Sequence, residues 1–191
     1  MAVAKPHLPS LRFAAVFGQQ TEALDWACER ATGEWGQVLL QSADIEFDMT
    51  SFYEKSMGDG LKKRLIAFQP LIDPMELVQS KVDSNQWELD YKTQGHRQPG
   101  ADRPVNIDPG YLTEAKVVLM TTKDRDHRLY MGSGIYAEVT LFYQVPGKWI
   151  SSRWTYPDYQ LESFHDFFFQ CRDFLREQLK QRPLPNTEPA D

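Results

Sequence analysis

The stretch of sequence that decides the fold runs from residue 103 to residue 159. It reads RPVNIDPGYL over 103–112, AKVVLMTTKDRDHRLY over 115–130, GIYAEVTLFY over 134–143 and WTYPDY over 154–159. Apolar runs of strand length alternate here with compact polar clusters, a pattern typical of a sheet. The polar clusters hold most of the side chains in the chain that are able to do chemistry.

Two strands stand out within this stretch. Val117–Met120 is wholly apolar, which predicts a central strand covered on both faces. Ile135–Tyr143 is the longest predicted strand. Strict alternation along it would place four side chains on one face, those of Tyr136, Glu138, Thr140 and Phe142.

A tight turn and a charged connection punctuate these strands. Asp108-Pro109-Gly110-Tyr111 predicts a type II turn, because proline fixes the first central residue and glycine allows a positive φ at the second. Asp108 is then expected to stabilise its own turn. The run KDRDHR over 123–128 is typical of a charged connection, which leads into a short returning strand at Leu129–Met131.

Working outward, the first 107 residues alternate strand and helix patterns. The predicted strands are Leu11–Phe17, Gln37–Gln41, Leu61–Phe68 and Val105–Ile107. The predicted helices begin at Thr21, with Gly33 as terminator, and at Pro74, which follows an acidic N-cap. This β-α-β-β-α-β order is that of the ferredoxin-like split unit.

The end of the chain predicts one more helix. Pro157-Asp158 is expected to cap it, and an apolar stripe from Phe164 continues to about Lys180. We therefore expect an α+β, two-layer sandwich, in which a ferredoxin-like unit is extended by an antiparallel meander and a long C-terminal helix. The expected organisation is a flexible arm over 1–10, a single domain over 11–180 and a disordered, proline-rich tail over 181–191.

Composition narrows the class of protein. The 191 residues carry a formal net charge of −6, so general nucleic-acid binding is not expected. Two cysteines, Cys28 and Cys171, form no metal or disulfide spacing and fit buried thiols in a reducing compartment. The sequence has no apolar leader and no run of membrane-spanning length. We expect a soluble, cytoplasmic protein that does not bind membranes.

Reaction-defining motifs do not occur in the sequence. It contains no G-x-x-x-x-G-K-[ST], no complete G-x-G-x-x-G, no H-E-x-x-H and no G-x-S-x-G. These absences disfavour a phosphate-loop GTPase, a dinucleotide oxidoreductase and an α/β-hydrolase. The sequence names no cofactor.

Glu138 is the most informative single residue. It lies in mid-strand between apolar neighbours, where an unpaired carboxylate would be costly. It therefore pairs with a cation, ligates a metal or lies at the mouth of a pocket. The structural alternative is a salt bridge to Lys116, Lys123 or Arg128.

The remaining candidates surround Glu138 in the sequence. The candidate catalytic residues are Glu138, Asp108 and His127, although His127 lies in a charged turn that is typical of exposed residues. The candidate ligand-binding residues, chosen to receive an anionic group, are Lys116, Lys123, Arg128, Tyr136 and Tyr156.

Two other polar patterns have simpler interpretations. Asp44, Glu46 and Asp48 alternate in an extended register, which indicates an exposed acidic edge or, alternatively, a metal site. A polar stripe on the helix that begins at Pro74 indicates a solvated face. Its members are Lys81, Asn85, Glu88 and Lys92.

Several multi-residue motifs resemble one known family. FDMTSFYEKSMG over 47–58, RPVNIDPGYL, KVVLMTTKD, HRLYMGSGIYAEVTL and WTYPDY are similar to the pattern of the bacterial and archaeal family called domain of unknown function 4416. The resemblance covers about residues 11 to 180. It implies a protein of about this length that matches the family along nearly its whole chain. It brings no established activity or catalytic residue to this chain.

Two functions remain open from the sequence. The first is a small enzyme or binding protein for an anionic metabolite, with a polar pocket on residues 103–159. The alternative is a non-catalytic protein-interaction domain that uses the aromatic-rich C-terminal region. A concave pocket that holds Glu138 beside Asp108 and a lysine would favour the first, and a flat apolar patch around the last helix the second.

Overall fold

One large antiparallel sheet with helices on both faces makes up the structure. The computed structural model of the chain describes residues 4–95 and 102–182. The strands are β1 (Ser10–Gly18), β2 (Val38–Gln41), β3 (Ile45–Glu46), β4 (Lys62–Ile72), β5 (Val105–Leu112), β6 (Lys116–Thr121), β7 (Leu129–Gly132), β8 (Ile135–Gln144) and β9 (Lys148–Ser151). The helices are α1 (Thr21–Trp35), α2 (Glu54–Met57), α3 (Glu76–Thr93) and α4 (Glu162–Lys180).

The order of strands across the sheet is β2-β4-β1-β5-β6-β8-β7, with β3 also beside β4 and β9 also beside β8. Adjacent strands run antiparallel throughout the described residues. The predicted interior strands are confirmed, since β1 lies between β4 and β5 and β6 lies between β5 and β8. The interior positions of β1 and β6 follow from their continuous apolar runs, because such strands must be covered on both faces of the sheet.

The layers number three, so the predicted two-layer sandwich is wrong. Phe13 and Ala15 of β1 pack in one core with α4. Ala14 and Val16, which point the other way, pack in a second core with α1 and α3. Because β1 is apolar at successive positions, neither of its faces could be left to solvent, and the sheet acquires a helical layer on each side.

The predicted meander is also wrong beyond β6. β7 pairs with β8 and not with β6, and β8 lies between them. The connection over residues 122–128 therefore crosses β8. The long, apolar β8 gains two neighbours, whereas the short β7, with Leu129 and Tyr130 exposed, takes the edge.

The predicted type II turn at residues 108–111 does not form, and these residues continue β5. Gly110 is needed for close approach and not for a turn. A Cβ built there would lie 2.6 Å from Cζ of Phe13 and would also overlap the carbonyl oxygen of Val118. Glycine thus lets β5 pass between the ring of Phe13 and the neighbouring strand.

The sheet splays between β5 and β6. The two strands pair only from Gly110 to Leu112, so no strand in the described part of the chain pairs with the edge of β5 before Gly110 on this side. Side chains of α3 occupy that edge. Glu88 Oε1 accepts a hydrogen bond from the Ile107 amide at 2.8 Å, and Lys81 Nζ donates to the Ile107 carbonyl at 2.7 Å. Pro109 is tolerated because its nitrogen, two residues on, faces the same unpaired edge.

This arrangement corrects the interpretation of α3. Lys81 and Glu88 are buried, with side chains 2% and 9% exposed, although the polar stripe indicated a solvated face. Each is satisfied by backbone and by an opposite charge, which is the condition under which charged groups are found inside proteins.

A β-bulge in β8 changes which side chains share a face. Val117 lies opposite Leu141, but Val118 lies opposite Val139, so Thr140 is the extra residue. Phe142 therefore falls on the face opposite to Glu138, contrary to strict alternation. The Thr140 carbonyl accepts a hydrogen bond from Thr155 Oγ1 at 2.6 Å, which ties the loop after β9 to the bulge.

Helix boundaries follow local rules with two exceptions. The start predicted at Pro74 is confirmed within two residues. Glu76 Oε1 accepts a hydrogen bond from the Asp73 amide, and Asp73 Oδ1 accepts one from the Met75 amide. However, α1 continues through Gly33 to Trp35, and Asp158 does not cap α4 but pairs, buried, with Lys63. No described helix is both long and apolar enough to cross a membrane.

The predicted arm and tail fall partly outside the described residues. Ser10, placed in the arm by the sequence, begins β1 and pairs with Ile72. Residues 1–3 and 183–191 lie outside the described part of the chain, as does the stretch 96–101.

We expect Gly110→Ala to lower the free energy of unfolding by about 1–3 kcal/mol, because a methyl group would overpack the contact with Phe13. Gly33→Ala is the matched control. A Cβ at Gly33 meets nothing within 4 Å, so this substitution in α1 should raise stability by up to about 1 kcal/mol. Urea denaturation of both variants measures the difference, and a neutral Gly110→Ala would contradict the close-approach argument.

Candidate functional site

Two adjoining cavities lie where the polar clusters of the sequence meet. The outer cavity, of about 450 Å³, lies between the 3₁₀ turn Ser51–Tyr53, the connection that crosses β8 and the loop that follows β9. The inner cavity, of about 30 Å³, lies beside the splay between β5 and β6. Tyr53, Lys123 and Tyr156 line both cavities, so the two form one site.

Glu138 stands at the centre of the site. It lies opposite Leu119 in the sheet and points to the same face, where the crossing connection covers it. Its Oε2 accepts hydrogen bonds from Arg128 Nε at 2.7 Å and from His127 Nε2 at 2.8 Å. The side chains of Glu138 and Arg128 are 5% and 4% exposed, so this is a buried ion pair.

Arg128 connects Glu138 to the rest of the site. Its Nη1 donates to the Lys123 carbonyl and its Nη2 to the Tyr156 hydroxyl, each at 2.9 Å. One guanidinium therefore holds β8, the crossing connection and the loop after β9 in fixed relation. The planar fork of arginine makes such three-way contact possible.

His127 forms part of the wall of the outer cavity. Its ring stacks on Trp154 with centroids 4.7 Å apart and an interplanar angle of 8°. Its Nε2 faces Glu138, and its Nδ1 lies 3.4 Å from the exposed carboxylate of Asp126. The side chain is 17% exposed, which contrasts with the exposed position suggested by the charged turn.

A buried ionic network fills the splay behind the inner cavity. Asp108 Oδ1 accepts a hydrogen bond from Lys81 Nζ at 2.8 Å, and its Oδ2 accepts one from Asn106 at 2.8 Å. Arg103 donates to Glu88 Oε2 at 2.8 and 2.5 Å. Asp108 thus bonds to side chains and does not stabilise a turn, as the sequence had indicated.

Burial and charge act in opposite directions on Asp108. Burial alone would raise the pKa of its carboxyl, but Lys81, Arg103 and Asn106 together hold that pKa below the ordinary value. Asp108 is therefore ionised at neutral pH. In contrast, burial raises the pKa of Glu88, although Lys81 and Arg103 oppose the rise.

Lys123 differs from the other charged groups of the site. Its Nζ lies over the rings of Phe52 and Tyr53, 4.2 and 4.9 Å from their centroids. Within residues 4–95 and 102–182, no carboxylate forms a salt bridge with this ammonium group. Burial lowers the pKa of Lys123, and Arg103, Arg128 and Lys81 lower it further, while Asp108 partly offsets them.

Two tyrosine hydroxyls complete the lining. Burial raises the pKa of Tyr53 and of Tyr156 above the ordinary value, and nearby carboxylates add to both shifts. Both therefore remain neutral at physiological pH and are available as hydrogen-bond donors. They give the cavities polar groups without adding negative charge.

The structure brings most of the sequence-predicted site residues together. Six of them line the two cavities: Glu138, Asp108, His127, Lys123, Arg128 and Tyr156. Two do not. Lys116 lies at the start of β6 opposite Phe142, and Tyr136 packs against Tyr130, with ring centroids 5.3 Å apart.

Sequence reasoning missed the residues that come from outside 103–159 and the tryptophan that forms the wall. These are Phe52, Tyr53, Lys81 and Trp154, together with Arg103 as a charge partner. Lys81, Ser84 and Glu88 fall on one helical face, and Lys81 and Glu88 are of opposite charge. That spacing, with a serine between, was the available signal for a buried network.

The chemistry open to this site follows from its groups. Lysine, arginine and hydroxyl donors around a concave space can receive an anion, and His127 beside Glu138 can accept or donate a proton. No three His, Cys, Asp or Glu side chains are grouped to hold a metal ion in residues 4–95 and 102–182. Of the three alternating acidic residues, Asp44 accepts hydrogen bonds from Arg64 at 2.5 and 3.0 Å.

Fold and site together define a mixed α+β protein with a large antiparallel sheet and a polar cavity at its splayed centre. A family model described as Domain of unknown function (DUF4416) matches residues 9–174, and the chain belongs to this family. A search of curated proteins finds no match to the chain.

We expect Glu138→Gln to lower the free energy of unfolding by about 3 kcal/mol or more, because it leaves the buried Arg128 without its charge partner. Asp126→Asn is the control. It removes the charge of the other carboxylate near His127. Because the Asp126 side chain is 73% exposed, this substitution should change stability by less than about 0.5 kcal/mol. Denaturant melts of both variants measure this, and a stable Glu138→Gln would show that the pair is not structural.

Proposed function

We propose that this protein binds a small anionic metabolite in the two cavities, either as an enzyme that acts on it or as a binding protein. The observation that carries the proposal is Lys123, an ammonium group that lines both cavities and forms no salt bridge with any carboxylate of the described residues. Because its pKa is already lowered by burial and by neighbouring positive charges, an incoming anion would supply the negative charge that this part of the site lacks.

The pairing of the surrounding charges supports this assignment. Glu88 pairs with Arg103, Asp108 with Lys81, and Glu138 with Arg128. These carboxylates are therefore neutralised within the protein and do not repel an anion from Lys123. The formal net charge is −6, so the proposed preference for an anion rests on Lys123 and its neighbours and not on a generally basic surface.

The alternative function receives less support. A protein-interaction domain was expected to use aromatic side chains of the C-terminal region. Phe164, Phe167 and Phe168 are buried against the sheet and form part of its core. By contrast, a concave pocket with Glu138 beside Asp108 and a lysine is the feature that favours a ligand site.

Two further proposals concern the fold of the first half of the chain and the cellular location and source of the protein. We infer that β1, α1, β2, β4, α3 and β5 form a ferredoxin-like unit. The strand order β2-β4-β1-β5, with both helices on one face, supports this inference. We also infer a cytoplasmic, prokaryotic protein, for which the two buried free thiols of Cys28 and Cys171 and the distribution of the family are the support.

The test of anion binding uses inorganic phosphate and citrate as probes in calorimetric titrations. Wild-type protein should bind at least one of them saturably, and Lys123→Met should weaken that binding about tenfold to a hundredfold. Lys148→Met, which removes an exposed lysine on β9, is the control and should leave binding unchanged. Absence of saturable binding by wild type, or equal binding by Lys123→Met, would overturn the proposal.

The pH dependence of binding gives a second prediction. The protonated form of Lys123 binds the anion, so affinity should fall as pH rises through its lowered pKa, below the usual lysine value of about 10.4. Lys123→Arg keeps the positive charge because a guanidinium stays protonated in this range. Titrations at increasing pH should therefore show the fall in wild type and not in Lys123→Arg; the same fall in both would assign it to another group.

A further inference from the structure

We propose that the ligand is amphipathic, with its anionic group in the outer cavity and an apolar chain in a groove on the opposite face of the sheet. This inference rests on the proposed function and names the chemical class of the ligand. It is carried by a second, larger cavity and by the place where that cavity meets the first.

The second cavity is a groove of about 540 Å³, here called the apolar groove. Its floor is the face of β6 and β8 that carries Val118, Met120 and Val139, and Glu138 also lines it. Met120 and Glu138 line the inner cavity as well. Met75 and Phe142, which are 65% and 46% exposed, stand at its walls. Its volume is in the range of small-molecule sites, and its lining is mostly apolar as such sites require.

The outer cavity and the apolar groove meet at a gap between β7 and β9, beside β8. β7 pairs with residues 135–137 of β8 and β9 with residues 141–144, so within residues 4–95 and 102–182 no strand lies beside residues 138–140 on that side. His127 and Trp154 occupy the gap. Both line the outer cavity and the apolar groove, and no other part of the described chain contributes to both walls.

The polarity of the combined space changes along its length. Lys123, Arg125 and Arg128 lie on the outer side of the gap. On the other side, the groove runs from Met120 back towards Lys116, four residues of strand or about 13 Å. An anion held by the lysine and arginines would thus point any apolar substituent over the His127–Trp154 stack and onto Met120 and Val139.

The ligand that fits is a single small molecule that carries both an anionic group and an apolar chain. A small inorganic or short-chain anion would leave the exposed Met75, Phe142 and Leu129 around the groove uncovered. A purely apolar molecule would leave Lys123 without a counter-charge. The outer cavity and the apolar groove are continuous, and the groove is mostly apolar although Asp73, Lys116 and Glu138 also line it. These two features select an amphipathic anion free in solution.

The experiment compares octyl phosphate with methyl phosphate, used as monomers below the micelle concentration, in titrations of the intact chain. Wild type should bind octyl phosphate at least about tenfold more tightly, because the alkyl chain leaves water. Phe142→Glu and Met131→Glu, each in the apolar groove, should remove this gain while methyl phosphate binding is kept. Leu89→Glu, at a position that is 51% exposed on α3, is the control and should keep the gain.

The outcomes separate the two proposals. If methyl phosphate binds and depends on Lys123 but octyl phosphate binds no more tightly, the amphipathic ligand is wrong and the anion site stands. If octyl phosphate binds more tightly in both groove variants as well, the chain lies elsewhere and the inference is overturned. If neither phosphate binds and the protein instead associates with vesicles of phosphatidylglycerol, both proposals fail and this face is a membrane contact.

Discussion

The edge of β5 that faces α3 is the constraint on which the rest of the structure depends. Ile107 has an amide and a carbonyl that no strand of the described residues satisfies there, because β6 pairs with β5 only from Gly110 onward. Buried backbone groups must find partners, and Glu88 and Lys81 supply them from the helix. Two charged residues are thereby drawn into the interior, and each in turn needs an opposite charge.

The site follows from that requirement. Lys81 is neutralised by Asp108 and Glu88 by Arg103, which places a polar space at the middle of an otherwise apolar sheet. On the next strands, the same need for compensation pairs Glu138 with Arg128. With these three carboxylates paired, Lys123 lies over aromatic rings and forms no salt bridge within the described residues, and its charge is the basis of the proposed anion site.

Local sequence patterns predicted much of the secondary structure, and they failed where distant residues intervened. The apolar runs of β1 and β6 and the start of α3 after Asp73 depend only on neighbours in sequence, and all three were predicted, the helix start to within two residues. Asp108-Pro109-Gly110 has the local chemistry of a turn, yet the ring of Phe13 and the unpaired edge of β5 make it a strand. The three-layer arrangement and the place of β8 between β6 and β7 likewise depend on contacts across the sheet.

The sequence by itself determined which residue types this protein could use for chemistry and that most of them lie between residues 103 and 159. It identified Glu138 correctly as a carboxylate in need of a partner, because a charge in an apolar strand is costly wherever the strand lies. Only the tertiary structure decided that Arg128 is that partner, that Lys81 and Glu88 are buried, and that Tyr53 joins the site. The reason is physical: a charge pays no desolvation cost until other segments of the chain cover it, and those segments are distant in the sequence.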